Sequence, residues 1–167
     1  MIILGVDPGL NTTGYGIIEV GSSMPRVITA GDIRPPRTQP LAERLGFIHA
    51  ALIRLISRHH PETVVLEKIF THHGHVTTAA LMGHARGAAC LAAQERDVPL
   101  AEYPSTQVKK SLTGNGHASK EQVARMVGQW LQFADPAWSV DATDALALAI
   151  VHAHMELQRR NLPVGVL

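Results

Sequence analysis

The stretch Ile2-Ile3-Leu4-Gly5-Val6-Asp7-Pro8-Gly9 decides how the rest of the chain is read. Its apolar, β-branched run has the length of one buried strand, and Asp7-Pro8-Gly9 ends it in a turn with a carboxylate at the last strand position. Working outward, residues 14–20 and Arg26–Ile33 read as two further strands, parted by Gly21-Ser22-Ser23 and closed by Pro35-Pro36. The three together predict an antiparallel meander. From residue 41 to 58 the apolar positions Leu41, Leu45, Ile48, Leu52, Leu55 and Ile56 recur at helical spacing, and Pro61 marks the exit. Residues 63–66 and 98–103 are two more strand-like runs, with a small-residue helix predicted between them over 77–96. Helices over 105–112, 119–131 (opened by Ser119 as N-cap) and from Val140 toward Arg159 complete the order. That order is an α/β fold, a single domain with a mixed five-stranded sheet flanked by helices.

A chain of 167 residues suffices for one domain with a proper core. With 46% hydrophobic and 17% charged residues the composition is that of a folded protein and excludes a disordered one. Lys and Arg number 15 against 14 acids, so there is no basic excess to advertise a nucleic-acid partner. The balance still allows one if several carboxylates are engaged by metal ions, leaving the positive charge to dominate a contact surface. The lone Cys90 cannot form an internal disulfide, which suits a reducing compartment and a cytoplasmic location. The opening apolar run stops at Asp7, too early for a signal-peptide core or a membrane span. The domain is expected over residues 1–158, with 159–167, which contains Pro163 and Gly165, as a flexible tail.

Four carboxylates stand out by position. Asp7 ends the first strand, Glu67 follows the fourth, and Asp141 and Asp144 lie three apart on one face at the start of the last helix. Singly, each has an ordinary explanation, as a strand terminator, a solvated edge residue or acids favoured at a helix N-terminus. Together they are harder to dismiss. The fragment from Val140 to Leu148 places two acids in a helix otherwise destined for the core. If the segments converge at one sheet edge, a hard divalent cation is the natural tenant.

Five blocks in order then carry a resemblance. They are Ile3-Leu4-Gly5-Val6-Asp7-Pro8-Gly9 with Gly14-Tyr15-Gly16; Leu66-Glu67-Lys68-Ile69-Phe70; Gly83-His84-Ala85-Arg86-Gly87; Gln107-Val108-Lys109 with Gly114-Asn115-Gly116 and Lys120; and residues 141–147. Over roughly residues 2–155 the chain resembles the RuvC family of Holliday junction resolvases. The resemblance implies an RNase H-like fold and a homodimeric crossover junction endodeoxyribonuclease. Such an enzyme nicks two symmetry-related strands of four-way junction DNA in homologous recombination and repair, leaving 5′-phosphate and 3′-hydroxyl ends. Its acidic quartet maps onto Asp7, Glu67, Asp141 and Asp144, as catalytic residues and ligands of two Mg2+ ions per site, with Mn2+ able to substitute. RuvA and RuvB are the implied branch-migration partners.

The resemblance also sharpens several single residues. Lys120 sits at a helix start, where a cation gains nothing from the dipole, and is expected to stabilise charge at the scissile phosphate. Lys109 and Lys110 are expected to grip the DNA backbone. Phe70 is expected to stack on an unpaired base at the junction centre. Arg86 is a DNA-binding candidate, although packing explains it and Tyr15 about as well. His72, His73 and His75 fit no standard closed zinc site and are expected in a polar loop facing DNA. His152 and His154 receive no role. The small-residue helix either packs tightly on the sheet or is shared across a two-fold dimer.

Three other readings compete. Another RNase H-like nuclease, acting on RNA, a hybrid or a differently branched DNA, would use the same acids. The turn after Asp7 also resembles the phosphate loop of actin-like ATPases, which need a second lobe. A silent junction-binding module would have no reason to carry four acids.

Overall fold

A computed structural model describes residues 1–21, 24–68, 76–132 and 138–161, the side chains of 76–79 and 160–161 excepted. The elements are β1 (Ile2–Asp7), β2 (Thr13–Glu19), β3 (Arg26–Ile33), α1 (Leu41–His59), β4 (Thr63–Glu67), α2 (Val76–Gln94), β5 (Leu100–Tyr103), α3 (Ser105–Thr113), α4 (Lys120–Trp130) and α5 (Val140–Asn161). They form a five-stranded sheet in the order β3-β2-β1-β4-β5. The hairpin-linked pairs β1–β2 and β2–β3 are antiparallel, whereas β1–β4 and β4–β5 are parallel. Parallel pairing needs a crossover, and α1 and α2 supply the two. The mixed α/β sheet expected from the sequence is the one found.

Alternation along the strands divides the core in two. Leu4, Val6, Ile17, Val64 and Leu66 face α1 and α2, while Ile3, Ile18 and Val65 face α3, α4 and α5. Helix α5 is the axis of the second layer, with Ala145 to Val151 all buried. It reaches that depth because three strand positions directly beneath it, Gly5, Gly14 and Gly16, are glycine. A Cβ on Gly5 would stand 1.9 Å from the Ala145 carbonyl oxygen, one on Gly14 2.0 Å from that of Asp141, and one on Gly16 2.6 Å from the Leu146 side chain. The helix therefore lies on bare backbone.

Bounds differ from expectation where local chemistry intervenes. Helix α2 stops at Gln94, and the Val98 N–H bonds back to the Ala93 carbonyl across Asp97, whose φ is 53°. That turn and Pro99 delay β5 to Leu100. Helix α4 opens at the predicted N-cap Ser119, whose Oγ accepts from the Gln122 N–H, and the structure adds the reciprocal bond from the Ser119 N–H to Gln122 Oε1, a full capping box. Helix α5 runs to Asn161, past the start of the expected tail, and residues 162–167 lie outside the described residues. Among the described residues no helix is long and apolar enough to cross a membrane.

Candidate active site

The carboxylates meet where β1 and β4 end. Asp7 pairs across the sheet with Gly14, and Gly14 with Asp32. Glu67 is one residue beyond Leu66, the partner of Val6. By alternation Asp7, Glu67 and Asp32 all sit on the α5 face. Between Asp7 and Asp32 the row is empty, because Gly14 has no side chain. The first turn of α5 fills that gap, with the Asp141 carbonyl against Gly14. Asp141 and Asp144 thus come down onto the edge that Asp7 and Glu67 form.

Their proximity raises the proton affinity of three of them. Asp7 is pushed from 3.8 up to about 7, first by burial, then by the carboxylates of Asp144, Glu67 and Asp141; Lys120 acts the other way. Glu67 is also raised by burial and by Asp144, against a hydrogen bond from Ser105 that favours the ionised form. Burial raises Asp141, helped by Asp32 and Asp144. Asp7, Glu67 and Asp141 are each held up in part by Asp144, so these carboxylates act on one another as one centre rather than as isolated surface charges.

Two lysines close the site. Lys120 Nζ donates to Asp144 Oδ2 at 2.7 Å, and this bond is the main reason its own pKa is raised. Lys109 lines a cavity of about 260 Å³ with Glu67, Ser105, Lys120 and Asp144. Among the described residues no three acid, histidine or cysteine side chains already close around one point as a formed metal cage. The donors nonetheless fit a hard divalent cation: all are carboxylate oxygens, and their crowding is unfavourable until positive charge enters.

A family model described as crossover junction endodeoxyribonuclease RuvC matches residues 3–152. The chain belongs to the RuvC family. The crossover junction endodeoxyribonuclease RuvC of Halorhodospira halophila is 46% identical over 153 residues, 91% of this chain and 89% of that protein. The solved structure of Thermus thermophilus RuvC matches with a TM-score of 0.87 at 34% identity, covering 95% of this chain and 97% of that one. A structure of T. thermophilus RuvC in complex with Holliday junction substrate matches with a TM-score of 0.88 at 35% identity, over 95% and 96%. The RNase H-like fold implied by the resemblance is therefore the fold of this RuvC chain, and the enzyme class is that of a junction endodeoxyribonuclease.

The remaining RuvC candidates are placed less uniformly. Lys110 projects away from Lys109, as neighbours on a helix must, and lines a separate cavity with Gln107, Trp130 and His154. Arg86 turns inward. Its Nη1 donates to the Glu67 carbonyl at 2.6 Å and its Nη2 pairs with Glu102 on β5, which ties α2 to the strand end carrying Glu67. The structure does not bring Lys110 or Arg86 into the cavity that holds Glu67 and Asp144. Tyr15 lies over Gly31, where a Cβ would stand 3.0 Å from its hydroxyl. His152 Nδ1 bonds the Tyr103 hydroxyl at 2.8 Å, and His154 stacks edgewise on Trp130. Phe70, His72, His73 and His75 lie outside the described residues.

Sequence reasoning missed three residues beside the acids. Ser105 bonds Glu67, Asp32 acts on Asp141, and Ser139 Oγ accepts from the Ala142 N–H at 3.1 Å as the N-cap of α5. Ser139 could have been found, since Ser three positions before an orphan N–H is an N-cap signal.

Proposed function

We propose that the chain is a homodimeric, magnesium-dependent Holliday junction resolvase that cuts two opposed strands of a four-way DNA junction, leaving 5′-phosphate and 3′-hydroxyl ends. The observation that carries this reading is the convergence of Glu67, Asp141 and Asp144 on Asp7, which all three raise, at one sheet edge beside Lys109 and Lys120. The four acids would hold two Mg2+ ions, with Mn2+ able to replace them. Such ions supply Lewis acidity that activates water and neutralises charge on the attacked and leaving oxygens. Asp7, which burial and its neighbours push up to about 7, must be ionised for the site to work. Lys120 stands on the open side of Asp144, two-thirds exposed, so its ammonium can meet a phosphate oxygen and stabilise the charge that builds there. Lys109 adds a second cation lining the same cavity.

Helix α2 supports a two-fold assembly. Its Ala85, Ala89, Ala92 and Ala93 are buried against α1, so tight intrachain packing accounts for these alanines. It does not account for the outer face, where Leu81 is 43% and Leu91 53% exposed and a Cβ on Gly83 or Gly87 would meet open space. A second copy of this chain fits that face and places two active sites in symmetric positions. Phe70, just beyond Glu67 in sequence, is assigned the wedge at the junction centre, Lys110 an outlying contact to DNA, and RuvA and RuvB the delivery of the junction. The domain of residues 1–158 with a tail over 159–167, acting in the cytoplasm, completes the proposal.

Substrate profiling tests it. With Mg2+, a synthetic mobile four-way junction should be nicked while an RNA–DNA hybrid and linear duplex of the same sequence are not, as resolved on a denaturing gel. Equal cleavage of the hybrid would point instead to another RNase H-like activity.

A further inference from the structure

The pairing of β3 with β2 sets Asp32 across from Gly14, over which the first turn of α5 passes. Asp32 is only 12% exposed and is used twice. Its Oδ1 accepts from the Ser139 hydroxyl at 2.5 Å, and its Oδ2 accepts from Arg34 Nη2 at 2.6 Å. Ser139 in turn spans the helix start: its Oγ takes the Ala142 N–H, and its carbonyl takes the Thr143 N–H and the Thr143 hydroxyl, at 3.0 and 2.8 Å. Asp141 lies between these anchored residues, and Asp144 follows Thr143. A carboxylate on a sheet strand thus grips the N-cap that fixes the helix turn carrying two of the four acids.

We infer that Asp32 and Ser139 form a positioning brace, which holds the N-terminal turn of α5 at the one height and rotation where Asp141 and Asp144 can share a cation with Asp7 and Glu67. Neither residue is a ligand. Outer partners of this kind set the geometry of the groups that touch the ion, and removing one typically lowers metal affinity or activity about 10- to 100-fold. The brace is a hydrogen-bond device rather than a charge, because the acceptor Oδ1 and the capping Oγ are what join sheet to helix. Arg34 keeps the second carboxylate oxygen from turning toward the acids.

The inference rests on the acidic centre being a cation site, and the experiment separates the two. Mn2+ binding to the dimeric protein is measured by titration calorimetry without DNA, beside melting temperature and junction cleavage. Asp32→Ala and Ser139→Ala should each weaken Mn2+ binding about 10-fold. Asp32→Asn, which keeps the acceptor, and Ser139→Thr, which keeps the hydroxyl, should bind within about 2-fold of the parent by the same reasoning. The double alanine variant should be no weaker than the poorer single one, since both changes break one link. If Ser139→Ala does not fold, the contrast between Asp32→Ala and Asp32→Asn decides alone. Parent-like Mn2+ binding by Asp32→Ala, or equal losses in Asp32→Ala and Asp32→Asn, would overturn the brace. Asp7→Asn is the control: if it too binds Mn2+ like the parent, the acidic centre fails and the brace with it.

Discussion

Burial and three neighbouring carboxylates push Asp7 up to about 7, and the sign of that shift makes two measurable statements. An acid raised in the folded state holds its proton where the unfolded chain has released it. The metal-free fold therefore loses stability from Asp7 as pH rises from about 4 through 7, and keeps it below that window. In chelator at pH 8, Asp7→Asn should be more stable than the parent by on the order of 2 to 4 kcal/mol and melt at a higher temperature, and the gap should close near pH 4. The same substitution should abolish cleavage while preserving or tightening junction binding, because it removes a hard ligand and a negative charge facing a polyanion. A variant that melts no higher and still cuts would contradict the coupled centre. At Lys109 and Lys110 the comparison is between neighbours on one helix. Lys109→Ala should lower cleavage and flatten the salt dependence of binding by about one counterion, whereas Lys110→Ala, on the other flank of α3, should do less. Equal effects would mean that both lysines grip backbone phosphates alike. The four acids were legible in the sequence because each sits beside an apolar run. Asp32 was not, because in Gly31-Asp32-Ile33-Arg34 it reads as an ordinary polar strand residue, and only its register against Gly14 gives it a task.

Among the elements, α5 and the strands beneath it are the unit that makes the site. The helix can bring Asp141 to Asp7 only because Gly14 leaves room, so the glycines of the Gly14-Tyr15-Gly16 block are a packing requirement of the acidic cluster. Gly14→Ala puts a Cβ 2.0 Å from the Asp141 carbonyl oxygen, and the helix must move. The expected outcome is a stability loss of about 1 to 3 kcal/mol with cleavage falling far more than junction binding. Melting temperature and a cleavage assay check it, with Gly46→Ala, in open space on α1, as the comparison expected to leave cleavage unchanged. The sequence marked those glycines as a motif without saying what pressed on them, since the partner lies more than 120 residues away. It did better with elements whose signals are local, such as the strand β1, the helical spacing of α1 and the Ser119 N-cap of α4. Where it overran, at the end of α2 and the start of β5, a left-handed Asp97 and Pro99 set the limit.

At the scale of the whole molecule, two nicks on opposed strands require two sites related by a two-fold axis. The exposed leucines and open glycines of α2 are the surface on which that symmetry would rest. Leu91→Glu should leave each protomer folded, since the residue is half exposed, and should shift sedimentation from dimer to monomer. Loss of paired cleavage should accompany it, while an unchanged dimer would move the interface elsewhere. The fold class and the family were legible from the order of strands, helices and five motif blocks, whereas assembly was not, because small residues serve intrachain and interchain packing alike. The most direct test of the acidic centre is a four-way junction labelled on each strand in turn and incubated with Mg2+ and either the parent or Asp7→Asn. The expected result is symmetric nicks in two opposed strands, with 5′-phosphate ends, from the parent alone. Nicks that persist in Asp7→Asn, or in chelator, would contradict it.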